Sequence, residues 1–277
     1  MTTLTIAHLT IQETQRRRIL WVALALGLLF LGVFTLGFHY VYLDFEQTGI
    51  SANEADLLTS LLLAAGLYAT NFIAIVISVI TSVTAVSAEI ETHTIETLLT
   101  KPIRRWELIL GKWLGFAIML LAYILLLTGS ILLFVYLRAG YTVSNLLPGM
   151  GLMAMQGLLL LSLTIAGGTR LSSLANGVLA FMLYGVALVG GWVEQIGALV
   201  RNETAVDIGI IASLIMPSEV LWKKALVLFQ PAFASSPMLA GPLSVGSQPS
   251  NAMLVYAVLY MAALVGFAVW SFARRDL

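Results

Sequence analysis

Long apolar runs leave this chain few possible folds. Six of them occur, at residues 19–42, 59–86, 114–137, 147–166, 174–192 and 253–270. A helix needs about 20 residues to cross a hydrocarbon core of roughly 30 Å. Because lipid offers no hydrogen bonds to the backbone, a spanning segment is a helix or a barrel strand, and these runs are too long and too evenly apolar for barrel strands. The sequence therefore predicts an all-α integral membrane protein with six transmembrane helices.

The composition supports a membrane protein and disfavours catalysis. Hydrophobic residues make up 60% of the chain and charged residues 10%, against roughly 45–50% and 25% in soluble domains. The absence of cysteine excludes disulfides and thiolate metal sites. The three histidines are scattered, and no G-x-S-x-G or H-E-x-x-H motif occurs. We therefore expect no catalytic residue and no metal site.

The positions of lysine and arginine predict the orientation. An even number of spans places both termini on one side, and ten of the fourteen basic residues fall on that side. The other four are Arg138, Arg201, Lys223 and Lys224. The positive-inside rule then predicts cytoplasmic termini for a multi-pass protein of the cell membrane. The first run, at about 24 residues, is longer than the core of a signal peptide, so we expect it to remain as a span.

Charge is concentrated between the second and third runs. As a helix, residues 88–101 have a polar side and a mostly apolar side. The polar side holds Glu89, His93, Glu96 and Thr100, and the other holds Glu91, Ile95, Leu98 and Leu99. Pro102 ends the segment, since proline cannot continue a helix. This pattern favours a short helix along the cytoplasmic face that docks another protein, while a solvated connector is the alternative.

The same segment resembles a known family signature. The stretch "EIETHTIETLLTKPIRRWELILGKWLG" is similar to that of ATP-binding-cassette (ABC) transporter permease subunits of the type-2 class. The matching positions are Glu89, Glu91, Thr94, Leu98, Leu99, Pro102, Arg105, Gly111 and Lys112. His93 departs from the pattern, because the family often has glycine there. The start "LTIQETQRRRILW" resembles the family's N-terminal elbow helix, and "SFARRDL" its C-terminus.

The resemblance implies a domain organisation and partners. It divides a single permease domain into an elbow helix (1–18), spans one and two (19–87), a cytoplasmic coupling helix (88–102), spans three to five (103–193), an outer loop with short helices (194–250), and the last span with its tail (251–277). It implies a permease dimer, preferably a homodimer, with two cytoplasmic ABC ATPase subunits that bind ATP and Mg. The implied ATPase-docking residues are Glu89, Glu91, Thr94, Ile95, Glu96, Leu98, Leu99, Lys101, Pro102 and Arg105. By resemblance the transporter is an exporter, and a heterodimer with a related permease stays open.

Two features of the sequence agree with transport that is powered by a separate ATPase subunit. The chain has no G-x-x-x-x-G-K-[ST] loop, so we expect no bound ATP and no cofactor on this chain. No span carries a charged residue near its centre, whereas ion-coupled transporters usually need one. A secondary transporter or channel is the alternative function, and an intramembrane enzyme is less favoured.

Uncharged polar and small residues offer candidates for the substrate route and the dimer contact. Asn71, Ser78 and Ser82 share one side of the second span, where they could line the route or join helices. Serine hydroxyls also commonly bond to carbonyls of their own helix, which is the simpler interpretation. Ala187 and Gly191 form a small-xxx-small pair that would permit close packing in a dimer.

The segment between the fifth and sixth spans is too interrupted to cross the membrane. Residues 206–216 are apolar but number only eleven, and Pro217 follows. Ser218 could cap a second short helix with one broad apolar face, from which Lys223 and Lys224 point away. We expect a re-entrant or surface-lying helical hairpin on the outer side.

Overall fold

The protein is a bundle of helices. The computed structural model describes residues 2–16, 18–49, 51–91, 104–143, 145–229 and 249–275. Within these residues there are ten α-helices and no strand. They are α1 (Thr2–Arg16), α2 (Arg18–Thr48), α3 (Ala52–Ser82), α4 (Thr84–Glu91), α5 (Arg105–Ala139), α6 (Leu146–Gly168), α7 (Ser173–Val200), α8 (Glu203–Ile215), α9 (Ser218–Phe229) and α10 (Asn251–Ala273).

Six of these elements are long and apolar enough to span a membrane, which confirms the predicted fold class. They are α2, α3 continued by α4, α5, α6, α7 and α10. We call the side with α1, the end of α4 and the start of α5 the α1 face, and the other side the opposite face. Several helices are longer than the apolar runs, since helical structure continues past the apolar segment.

Helix α1 packs closely on the start of α5 through two glycines. A Cβ atom added to Gly111 would lie 2.6 Å from Cβ of Ile6, and one added to Gly115 would lie 2.8 Å from the backbone oxygen of Ala7. A larger residue at either position would therefore push α1 away. The elbow predicted at residues 1–18 coincides with this helix, and its place at the membrane interface stays a prediction.

Helices α8 and α9 form a hairpin bent by 108° at residues 216–217. Such a break frees carbonyl groups at the end of α8, which need partners in an apolar layer. Tyr256 and Tyr260 of α10 supply them: their hydroxyls donate to the carbonyl oxygens of Leu214 (2.6 Å) and Ile215 (3.0 Å). Tyr260 is nine residues into α10, about 14 Å along the helix axis. The bend thus lies within the bundle. Whether the hairpin is re-entrant in the membrane stays a prediction.

Two details predicted for this hairpin are wrong. Lys223 does not point away from the apolar face, since it is 2% exposed and pairs with Glu194 of α7. Ser218 does not cap α9, because it is the first residue of that helix. Its buried hydroxyl has no hydrogen-bond partner in the described part of the chain. Lys224, by contrast, reaches the α10 start, where its ammonium donates to the carbonyl oxygen of Pro249 at 3.1 Å.

Candidate coupling site

The predicted docking residues fall on and between two helices at the α1 face. Helix α4 ends at Glu91, and α5 begins at Arg105. The structure describes Glu89, the backbone of Glu91, and Arg105. The other predicted docking residues lie outside the described residues: Thr94, Ile95, Glu96, Leu98, Leu99, Lys101 and Pro102. Their ATPase-docking role stays a prediction.

A buried ion pair fixes α4 to α5. The ammonium of Lys112 bonds to the carboxylate of Glu89, with side-chain exposures of 6% and 14%. The same ammonium donates to the carbonyl oxygen of Ala85 at 2.7 Å. Because breaking a buried pair leaves an uncompensated charge, the two helices resist separation at this point.

Arg105, at the start of α5, holds the end of α10. Its guanidinium donates to the carbonyl oxygens of Ala273 (3.3 Å) and Arg275 (2.6 Å). Carbonyl groups at the end of a helix lack partners within the helix, so a guanidinium suits them. The start of α5 is therefore anchored to the last span, α10, as well as to α4.

The turn between α6 and α7 joins this network. Arg275 donates from its guanidinium to the carbonyl oxygen of Thr169, and Arg170 donates to the hydroxyl of Ser271 at 2.7 Å. Farther along, the side-chain amide of Asn176 donates to the carbonyl oxygens of Thr164 (2.8 Å) and Val83 (3.3 Å). The α1 face thus links α4, α5, α6, α7 and α10.

The candidate route residues lie inside the single chain. Asn71, Ser78 and Ser82 are at most 5% exposed. The hydroxyl of Ser78 donates to the carbonyl oxygen of Gly157 of α6 at 3.2 Å, and that of Ser82 lies 2.6 Å from the hydroxyl of Thr164. These contacts join α3 to α6. A role in the substrate route stays a prediction.

The candidate dimer contacts are also covered by the chain itself. Ala187 is 0% exposed, and a Cβ atom on Gly191 would lie 2.4 Å from Cγ of Glu219 of α9. The close packing expected of this pair therefore occurs against the α8–α9 hairpin. Contact of these two residues with a second chain stays a prediction, and the structure gives them no free surface for it.

An apolar cavity near the opposite face was not foreseen from the sequence. It measures about 400 Å³ and lies between α3, α5 and the start of α6. Its lining includes Leu63, Leu132, Val135, Tyr136 and Met150. Hydropathy could not reveal it, since residues that line an apolar cavity resemble those that face lipid.

Comparison with known proteins decides the family. The family described as "ABC-2 family transporter protein" matches residues 4–277, nearly the whole chain. The chain belongs to the ABC-2 transporter family. This ABC-2 protein is a permease, a multi-pass membrane component of an ABC transporter whose role is transport rather than catalysis. The family implies partnership with an ABC ATPase subunit. No curated protein matches the sequence.

Proposed function

We propose that residues 88–102 of this permease dock an ABC ATPase subunit, whose ATP-driven movement reaches the spans through α4, α5 and α10. The observation that carries the proposal is the anchoring of both flanks. Glu89, near the start of the segment, pairs with Lys112, and Arg105 after it binds the end of α10. A force on the segment therefore acts on the bundle from two sides.

The flanking helices both extend past the apolar runs. Helix α4 continues to Glu91, five residues past the run that ends at residue 86, which is about 7 Å. The first nine residues of α5 precede the apolar run that begins at residue 114, which is about 13 Å. Two arms that extend beyond the apolar runs suit contact with a soluble partner.

The remaining parts of the proposal rest on sequence and family. ATP and Mg bind to the ATPase, since this chain has no phosphate-binding loop. The termini and the coupling segment are cytoplasmic, as the ten-to-four distribution of basic residues supports. The direction is export. The working transporter contains two copies of this chain and two ATPase subunits.

Docking is tested with a double variant and a matched control. Glu91→Ala with Leu98→Ala removes one charged and one apolar contact from the proposed helix. Glu203→Ala with Leu199→Ala makes the same changes at exposed residues on the opposite face. The full-length variants are co-expressed with the ABC ATPase, purified in detergent, and assayed for bound ATPase, ATP hydrolysis and transport. We expect loss of ATPase binding or of coupled transport only in the first variant; equal behaviour of both contradicts docking.

Stoichiometry tests the dimer. Native mass measurement of the chain expressed with only its ATPase should show two permeases and two ATPases. An active complex with one permease and two ATPases overturns the homodimer. An inactive single permease that gains activity with a related permease supports the heterodimer.

A further inference from the structure

Three buried charged residues meet where the α8–α9 hairpin packs on α7. The ammonium of Lys223 lies 2.7 Å from a carboxylate oxygen of Glu194, and the two side chains are 2% and 13% exposed. Glu219, one turn before Lys223, is 2% exposed. Its oxygen Oε2 is buried and has no hydrogen-bond partner among the described residues. The ammonium of Lys223 therefore donates to Glu194 and not to Glu219.

Among the described residues, the charged groups that act on Glu219 are Lys223 and Glu194. Tyr68 of α3 and Tyr184 of α7 interact with Glu219 electrostatically, and both are neutral phenols. Gly191 of α7 lets the Glu219 side chain approach, since any side chain there would meet its Cγ at 2.4 Å. The carboxyl group thus lies between helices rather than in water.

The other helices packed on α9 add no compensating charge. Helices α6 and α10 contain no charged residue within their bounds. The charged residues of α8 are Glu203 and Asp207, which are both acidic and exposed. With both carboxylates ionised, the buried group would carry a net charge of −1. A buried charge without a partner is costly, and a carboxyl group avoids that cost by keeping a proton.

We propose that Glu219 is a proton-binding site that holds the α8–α9 hairpin closed and releases its proton to water when the hairpin opens. In the closed state a neutral carboxyl group lies beside the neutral sum of Glu194 and Lys223. On opening, the O–H bond of the carboxyl group breaks heterolytically, its electron pair stays on the carboxylate, and water takes the proton. The site lies in the hairpin between α7 and α9, away from the coupling segment, so its tests need no docked ATPase.

The sign of the pH dependence follows from the proton count. In the open hairpin Glu219 is in water, where a glutamate loses its proton near pH 4.3. The stability of the closed hairpin therefore depends on pH differently below and above about that pH. Below it both states are protonated, and the closed state keeps its full stability. Above it the closed hairpin holds one more proton than the open one, so the opening equilibrium constant rises about tenfold per pH unit. This increase ends when the closed state also loses its proton.

Infrared spectroscopy of the full-length protein in lipid tests the protonation directly. At pH 7 we expect the carbonyl-stretch band of a protonated carboxylic acid, because exposed carboxyl groups are ionised at that pH. Glu219→Gln should remove the band, and the control Glu203→Gln on the exposed part of α8 should keep it. A wild-type spectrum without the band, or a band that survives in Glu219→Gln, overturns the proposal.

A third variant tests the charge balance itself. Glu194→Gln frees Lys223 to compensate an ionised Glu219, so the acid band should disappear although Glu219 is unchanged. Persistence of the band in this variant contradicts the reasoning. All three Gln replacements conserve side-chain shape, and circular dichroism can confirm that the variants keep the helical content of the wild type before their spectra are compared.

Hydrogen exchange measures the opening. After correction for the intrinsic exchange rates, the exchange of residues 203–229 should rise about tenfold per pH unit in the wild type between pH 6 and the pH at which closed Glu219 ionises. In Glu219→Gln the corrected exchange should not change with pH. A pH-independent wild type, or the same slope in both proteins, refutes proton-linked opening.

Discussion

Replacement of Lys112 by methionine should loosen the α4–α5 contact with little change in side-chain volume. The ammonium is buried and bonds to Glu89 and to the carbonyl oxygen of Ala85. Removing one partner of a buried ion pair typically costs about 3–5 kcal/mol. Glu89 keeps 14% exposure, so water can partly compensate its charge. We therefore expect a loss near the lower end, about 3 kcal/mol, or a thermal midpoint lower by roughly 6–12 °C.

The design separates the charge pair from packing. Lys112→Met/Glu89→Met removes both charges, and the loss should shrink to about 1 kcal/mol because no carboxylate is left unpaired. Arg16→Met, at an exposed basic residue, should change stability by less than about 1 kcal/mol. Thermal unfolding in detergent is followed by circular dichroism. A single variant as stable as the wild type, or a double variant as unstable as the single one, refutes the role of the pair.

Three further outcomes are expected. Gly115→Ala should destabilise the protein by about 1–3 kcal/mol, since a backbone oxygen of α1 would lie 2.8 Å from the new methyl group. In the control Gly129→Ala the new methyl group has nothing within 4 Å, so this variant should stabilise the helix by up to about 1 kcal/mol. Thermal unfolding of the two variants compares their stability. Tyr260→Phe should leave a carbonyl oxygen at the end of α8 without its donor, at a cost of about 1–3 kcal/mol, seen as faster hydrogen exchange in the hairpin; unchanged exchange contradicts this. The chain has no cysteine of its own, so single cysteines can report its topology. A cysteine at Thr204 should react with an impermeant thiol reagent on intact cells, and one at Arg104 should react only in inside-out vesicles. The reverse labelling pattern would contradict the predicted orientation.

The six spans could be predicted because lipid itself imposes them. A run of apolar residues long enough to cross the membrane has no other stable conformation there. The helix ends could not be located in the same way. The second span, predicted at residues 59–86, is helical from Ala52, with a break at Val83, because helical structure continues where solvent replaces lipid.

The neighbours of each helix face could not be predicted from hydropathy. The spacing of Ser78 and Ser82 placed them on one side of a helix, but only the structure shows that this side packs on α6. Lys223 was wrongly assigned to an outward surface, since a lysine beside an apolar face usually reaches water. Its partner Glu194 lies 29 positions away in the chain. A basic and an acidic residue in adjoining apolar segments are the one signal that could have indicated the pair.

Helix α5 gives the protein a stiff lever. It runs 35 residues from Arg105 to Ala139 without a proline, a length of about 52 Å. One end is tied to α10 by Arg105, and the other lines the apolar cavity with Leu132 and Tyr136. If such a rod tilts by about 5°, its ends shift by roughly 4–5 Å relative to each other. A small rotation of α5 at the α1 face would therefore move the lining of this cavity at the opposite face, without any helix having to bend.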